Sequence, residues 1–180
     1  MIVLHTLGDT LITVGERKIR PSSPLVFASL LYLATERGRR VPRPALQELL
    51  FPDSDERSGA HSLRQLLYKL RQLGAPLEAD ATSVYLSADH VLDDTANNGA
   101  SQSAVVSFLP DFDPDISEGY REWLERRRAE FAASIRKRLV ASIEAHREAL
   151  NWQAVERDAQ LLLSVDPFNE VGTFALAEAV

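Results

Sequence analysis

The sequence contains no cysteine among its 180 residues, and this absence excludes several classes of protein at once. Without cysteine the chain has no disulfide, no thiolate zinc site and no cysteine nucleophile. The lack of cysteine suits a reducing compartment, and we expect the protein to be cytoplasmic. Its composition, 45% hydrophobic and 26% charged, is that of an ordinary globular protein.

Long apolar stretches are also missing. No run of apolar residues approaches the roughly 20 residues that span a bilayer, so we expect no membrane partner. The N-terminus, residues 1–5, has no basic region that leads into an apolar stretch, which argues against a signal peptide.

The sequence shows no signature of an enzyme. Its eight glycines are scattered and form no phosphate-binding loop. The histidines His5, His61, His90 and His146 lie far apart and do not have the spacing of metal ligands. We therefore expect no catalytic residues, no cofactor and no bound metal.

The net charge of −6 hides a difference between the two halves of the chain. Residues 1–90 carry 11 basic and 10 acidic side chains, a net of +1, and residues 91–180 carry 9 and 16, a net of −7. Between residues 57 and 77 there are four basic residues and no acid. Because salt screens charges beyond about 8–10 Å, a phosphate backbone responds to this local excess.

The first 40 residues predict a small antiparallel meander and then a helix. Three β-prone runs are separated by glycine-containing turns, at residues 2–7, 11–14 and 17–20. Ser23 as N-cap and Pro24 at the first helical position predict a core helix over residues 25–36 that stops at Gly38.

Two further helices and a hairpin follow. A short helix is predicted over residues 45–50 and a longer one over about 58–73, closed by Gly74. Two β-prone runs then flank a polar turn, which predicts a β-hairpin with strands at 77–79 and 84–86 around the turn 80–83.

The remainder of the chain predicts a linker and an all-helical region. Small polar residues dominate 93–107, which is typical of a linker. A long helix over 118–150, a second over 154–165 and a third from Phe168 follow the pattern of tetratricopeptide-like repeats, with Trp123 and Trp152 in their core.

These elements predict an α+β protein with two domains. Residues 1–92 are predicted to form a winged helix-turn-helix, with a small sheet and with the hairpin as wing. Residues 93–107 are the predicted linker, and 108–180 the predicted tetratricopeptide-like helical domain. Since the last helix has barely begun at Val180, we expect the full-length protein to continue.

The third helix is amphipathic in a way that suits a major groove. On a helical wheel one side is rich in leucine and predicts burial, whereas the other side is basic, amide-bearing and partly aromatic. Arginine can bond a guanine edge, glutamine an adenine edge, and lysine a phosphate. The residues that we expect to contact DNA are Arg57, His61, Arg64, Gln65, Tyr68, Lys69, Arg71 and Gln72.

The alternative reading of this helix is a solvated amphipathic surface with a chance excess of basic residues. Its position after a short helix and a turn, and before a hairpin, favours a DNA reader. Arg40 and Arg43, near the start of the second helix, are candidates for phosphate contacts, and a solvated loop is their alternative.

Several segments together resemble a known family. They include residues 31–34 (LYLA), 38–43 (GRRVPR), 46–53 (LQELLFPD) and 62–71 (SLRQLLYKLR). This part resembles the OmpR-like winged helix of the Streptomyces antibiotic regulatory protein type. Residues 108–110 (FLP), 123–127 (WLERR) and 166–170 (DPFNE) are similar to the bacterial transcriptional activator domain that accompanies it.

The resemblance implies a sequence-specific transcriptional activator. Such proteins bind repeats in promoter DNA, commonly as homodimers on the DNA, and recruit RNA polymerase. The chain departs from the family at Phe51, where tryptophan is usual, and in a wing that carries Glu78 and Asp80 but no basic residue. We therefore expect a weak wing contact in which Thr82 or Ser83 donates to a phosphate. The alternative function is a helical-repeat scaffold or signal-receiving regulator whose winged helix makes protein contacts.

Overall fold

The computed structural model describes residues 2–7, 10–21, 23–36, 38–87, 90–92 and 107–179. The fold is mixed α+β, as predicted, with a small N-terminal sheet region followed by a C-terminal helical bundle. The chain divides into two compact units. Unit 1 comprises Met1–Ala96 and Leu109–Glu125, and unit 2 comprises Asn97–Phe108 and Arg126–Val180.

The first sheet of unit 1 contains the predicted antiparallel meander. Strands β1 (Ile2–His5), β2 (Leu11–Val14) and β3 (Arg17–Ile19) pair in sequence, with Gly15 at φ +61° in the second turn. A fourth strand, numbered β7 because it comes last along the chain (His90–Leu92), pairs parallel with β1. The local pattern did not predict this strand, since its partner lies more than 80 residues away.

Three helices follow the meander. α1 (Pro24–Thr35) has Ser23 as N-cap and Pro24 in its first turn, as predicted. α2 (Arg43–Leu50) begins two residues earlier than predicted, and α3 (Glu56–Gln72) also begins two residues earlier. Both differences lie at helix ends, where short-range sequence signals are weakest.

The predicted hairpin is present and supplies two of the three strands of a second sheet. β5 (Leu77–Ala79) and β6 (Ser83–Leu86) pair antiparallel, and the two-residue strand β4 (Val41–Pro42) joins the other side of β6. β4 was not predicted, because two residues that include a proline carry no strand pattern. Its pairing fixes the start of α2 beside the hairpin turn, where the Arg43 N–H donates to the Thr82 carbonyl at 2.9 Å.

The core of unit 1 includes residues that follow the second sheet by more than 20 positions. The Tyr120 hydroxyl donates to the Ala28 carbonyl at 3.2 Å, and Phe112 packs edge-on against Phe27 with ring centroids 5.0 Å apart. Tyr120 is fully buried at the start of α4 (Glu118–Glu148). Trp123 packs against Tyr32 at 5.2 Å, so its expected place in a repeat core is wrong.

Unit 2 contains the rest of α4 together with α5 (Trp152–Val165) and α6 (Glu170–Ala179), close to the predicted helices. Asn151 caps α5 by accepting from the Ala154 N–H. Trp152, which was expected in the core, keeps 41% of its surface exposed. The buried apolar cluster of this unit is Ile143, Val155, Ala159, Leu162 and Ala175.

The boundaries at residues 92 and 108 stay predictions, and the structure adds that Leu109–Glu125 belongs to unit 1. The predicted linker lies, except for Ser107, outside the described residues. Among the described residues, no helix combines the length and hydropathy that crossing a bilayer requires.

Candidate nucleic-acid interface

The helix α3 begins at a well-made N-cap. The Asp55 carboxylate accepts from the backbone N–H groups of Arg57 and Ser58 at 3.0 and 3.1 Å, and from the Ser58 hydroxyl at 2.6 Å. These bonds, foremost that of the Ser58 hydroxyl, hold the pKa of Asp55 below its usual value. The helix ends before Gly74, which adopts φ +86°, a conformation that suits glycine.

One side of α3 is anchored by leucines, as its sequence pattern predicts. Leu63, Leu66, Leu67 and Leu70 each expose 4% or less of their surface. Near the first turns, the Gln47 side chain of α2 lies across Gly59, so close that a Cβ there would fall 2.3 Å from its amide nitrogen. The two helices are therefore closely packed at this glycine.

The other side of α3 is exposed over its length. All eight predicted DNA-contacting residues of this helix lie on it, from Arg57 to Gln72. Within the part of the chain that the structure describes, six of these side chains form neither a hydrogen bond nor an ion pair; they are Arg57, His61, Arg64, Gln65, Lys69 and Arg71. The cationic groups on this face are thus available to an external partner.

The remaining two residues of the face are bonded to each other. The Gln72 side-chain amide donates to the Tyr68 hydroxyl at 2.8 Å, and 57% of Tyr68 is exposed. This bond uses one of the two amide hydrogens of Gln72 and leaves the other hydrogen and the carbonyl oxygen for a base edge. The bond also holds the Tyr68 hydroxyl near the C-terminal end of α3.

The start of α3 carries two acidic residues beside Arg57. Asp55 and Glu56 stand at its N-terminus, ahead of the basic residues. Carboxylates there would repel phosphates, whereas Arg64 and the residues after it meet no acid on their own helix. The middle and C-terminal parts of α3 are therefore the parts suited to a polyanion.

The four remaining predicted residues form a second cluster, around Asp80. The Arg40 guanidinium donates to the Asp80 carboxylate at 2.6 Å, and Arg43 Nε donates to the Asp80 carbonyl at 2.8 Å. Thr82 and Ser83 each donate to the same carboxylate through the backbone N–H and through the hydroxyl, at 2.7 to 2.9 Å. All four residues are thus engaged within the chain.

These contacts favour the ionised form of the Asp80 carboxyl group. The Thr82 and Ser83 backbone N–H groups, followed by their hydroxyls, hold the pKa of Asp80 far below its usual range. Beside it, the Arg40 guanidinium lies 4.8 Å from the centroid of the Tyr85 ring. The Tyr85 hydroxyl donates to Glu78, and this bond raises the pKa of Tyr85. The hairpin, residues 77–86, therefore carries two carboxylates and no basic residue.

The basic residues of α4 are arranged differently from those of α3. Arg121 pairs with Glu118, Arg127 with Glu130 at 2.8 Å, and Arg147 with Glu178 of α6 at 2.7 Å. In unit 2 the buried Asp158 accepts from the Ser142 hydroxyl at 2.6 Å and from Arg157 at 2.9 Å. Charged groups here serve contacts between and along helices.

No group of three or more His, Asp or Glu side chains is placed to hold a metal ion in the described ranges. Comparison with protein-family models gives no match for this chain, and comparison with curated proteins gives none either. The candidate interface therefore depends on the geometry of unit 1 itself.

Sequence reasoning did not identify Asp55 as the N-cap of α3, and it named Asp80 only as an acid of the predicted wing. The signal for Asp55 was present, because aspartate is among the residues preferred at the N-cap and stands directly before the helical pattern. Asp80 begins a polar turn of the form Asp-Ala-Thr-Ser, and aspartate commonly bonds the N–H groups that follow it in such turns. Its ion pair with Arg40, 40 residues away, had no local signal.

Proposed function

We propose that this protein binds duplex DNA as a sequence-specific transcriptional regulator and that the exposed side of α3 is its reading surface. In this proposal unit 1 is a winged helix-turn-helix: α2 and α3 form the helix-turn-helix, and β5–β6 form the wing. One observation carries it. The exposed side of α3 bears four cations, and among the described residues no carboxylate pairs with them.

The dimensions and chemistry of α3 agree with this role. An α-helix fits the major groove of B-DNA, which is about 12 Å wide. Arg64 and Gln65 occupy the middle of the helix, where arginine can bond the two acceptors of guanine and glutamine the edge of adenine. Lys69 and Arg71, nearer the C-terminal end, suit phosphates on either side of the groove.

Salt-dependent binding of the full chain to duplex DNA tests the proposal. Affinity for a duplex of mixed sequence should fall steeply between about 50 and 200 mM salt, because cations that neutralise phosphates release counterions. The double variant Arg64→Ala/Arg71→Ala should lose most of this binding. Its matched control is Arg126→Ala/Lys137→Ala, which removes two exposed cations of α4 that, like Arg64 and Arg71, pair with no carboxylate among the described residues.

Equal losses in the two double variants would mean that affinity follows total charge and that α3 is not the reader. Absence of salt-sensitive binding in the unmodified chain would contradict the proposal as a whole. Binding of the control with unchanged affinity and salt slope is the result that we expect.

A second candidate function is a protein-contact module, and exposed apolar side chains in unit 2 favour it. Phe168 and Phe174 expose 93% and 65% of their surfaces, and Leu150 exposes 71%. Within the main proposal this unit contacts proteins rather than DNA. A partnership with RNA polymerase and pairing of two copies on DNA stay predictions from the family resemblance.

A further inference from the structure

Arg40 differs from the cations of α3 because it already has an anionic partner. Its guanidinium donates to Asp80 Oδ2 at 2.6 Å and lies against the Tyr85 ring. Both members of the ion pair remain open to solvent, since their side chains are 62% and 46% exposed. An external anion can therefore reach Arg40, but it must compete with Asp80.

The Asp80 carboxylate is held in place independently of Arg40. Its Oδ1 accepts from the backbone N–H groups of Thr82 and Ser83 and from the Thr82 hydroxyl, and its Oδ2 accepts from the Ser83 hydroxyl. Four donors from the turn thus fix the carboxylate at a position that faces the guanidinium. The same kinds of donor bind phosphate oxygens in protein–DNA complexes.

We propose that Asp80 is a positioning residue that keeps Arg40 from the phosphates of bound DNA and so limits the contribution of the hairpin to affinity. This inference rests on the proposed DNA-binding function. Carboxylate and phosphate oxygens compete for the same guanidinium. With Asp80 in place, the reading helix supplies most of the affinity and the hairpin adds little non-specific attraction.

The variant Asp80→Asn tests this role while keeping the turn. The asparagine oxygen can still accept from the Thr82 and Ser83 N–H groups, whereas its amide group can no longer pair with Arg40. Because an exposed ion pair is only a weak competitor for Arg40, we expect no more than three- to fivefold tighter binding to a mixed-sequence duplex. The salt slope should become steeper by about one unit, as expected for one added phosphate contact.

Two further variants separate this effect from a change in charge alone. Glu78→Gln removes the same charge from the same hairpin without releasing Arg40, so it should tighten binding by less and leave the salt slope unchanged. Arg40→Ala should weaken binding less than twofold in the parent chain, but it should abolish the gain of Asp80→Asn in the double variant. Thermal melts of each variant report whether the fold is retained.

The proposal is overturned if Asp80→Asn and Glu78→Gln have the same effect, or if the gain survives in the Arg40→Ala background. Should Asp80→Asn prove unfolded, Arg40→Ala alone decides: a loss above threefold would mean that Arg40 already contacts DNA in the parent chain. These failures leave binding through α3 intact. If the unmodified chain does not bind duplex DNA, the proposed function and this inference are both wrong.

Discussion

The helices α3 and α4 both carry several arginines, but most arginines of α4 are paired within the chain and those of α3 are not. On α3 the basic side chains Arg57, Arg64 and Arg71 face solvent, and no described carboxylate pairs with them. On α4 the arginines Arg127 and Arg147 are tied to glutamates of the same helix or of α6. The difference teaches that a count of cations says little about nucleic-acid binding, because the position of the nearest acids decides which cations are available.

The largest effect is expected at Tyr120, which lies on α4 and is buried in the core of unit 1. Tyr120→Ala should lower the free energy of unfolding of unit 1 by roughly 3–5 kcal/mol, as for other buried aromatic residues. The side chain is fully buried, and its hydroxyl bonds to the Ala28 carbonyl. Denaturant unfolding followed by circular dichroism measures the loss.

Tyr120→Phe is the matched control, since it removes only the hydroxyl and should cost about 1 kcal/mol. If Tyr120→Ala unfolds like the parent chain, then the packing of Leu109–Glu125 within unit 1 is wrong. The same packing predicts that a fragment of residues 1–125 is more stable than one of residues 1–92.

The next effect tests whether a buried charge in unit 2 stabilises the fold. Asp158→Ala should destabilise the chain by roughly 1–3 kcal/mol, because it leaves the donors of Ser142 and Arg157 without their acceptor. Asp158 is only 4% exposed. Glu156→Ala, two residues earlier on α5, is the control and should change stability little, because the carboxylate loses only an exposed bond from the Gln160 side chain. Equal melting temperatures for the two variants would contradict an inward, structural role for Asp158.

A third prediction compares two cations within α3. Arg64→Ala should cost about 1–3 kcal/mol of binding free energy and relax specificity at one base position, if Arg64 reads a base. Lys69→Ala should weaken binding evenly across sequences and reduce the salt slope by about one unit. Selection from a randomised duplex library, followed by anisotropy titrations, measures both. An unchanged sequence preference in Arg64→Ala would exclude Arg64 as a reader.

The smallest expected effect concerns the cluster around Asp80, where Arg40 and Arg43 are bonded within the chain. Because the folded pKa of Asp80 is lowered from 3.8, its ionised form stabilises the fold. This contribution is fully present above pH 3.8 and is lost as the pH falls toward the folded pKa. Melting temperatures of the parent chain and of Asp80→Asn should therefore differ by a constant amount above pH 3.8 and converge below it. A constant difference down to the lowest pH would show that Asp80 does not titrate as stated.

Much of unit 1 could be predicted because its signals are local. The leucine spacing of α3 fixed both its buried side and its exposed side, and polar turn residues marked the hairpin. The strands β4 and β7 and the packing of Tyr120 depend on partners 41 to 92 residues away, and no short window contains both partners. For the same reason the sequence nominated Arg40 as a phosphate contact without showing that Asp80 already holds it.

The strand β3 has a consequence for how the protein behaves at high concentration. It stands at one end of the described sheet order, so its outer backbone groups are open to pairing with a strand of another molecule. Arg17 and Lys18 are both exposed on this strand. Charged side chains on an edge strand discourage such pairing through repulsion and hydration. We therefore expect the exposed positive charge of Arg17 and Lys18 to oppose strand pairing between copies of the chain at high concentration.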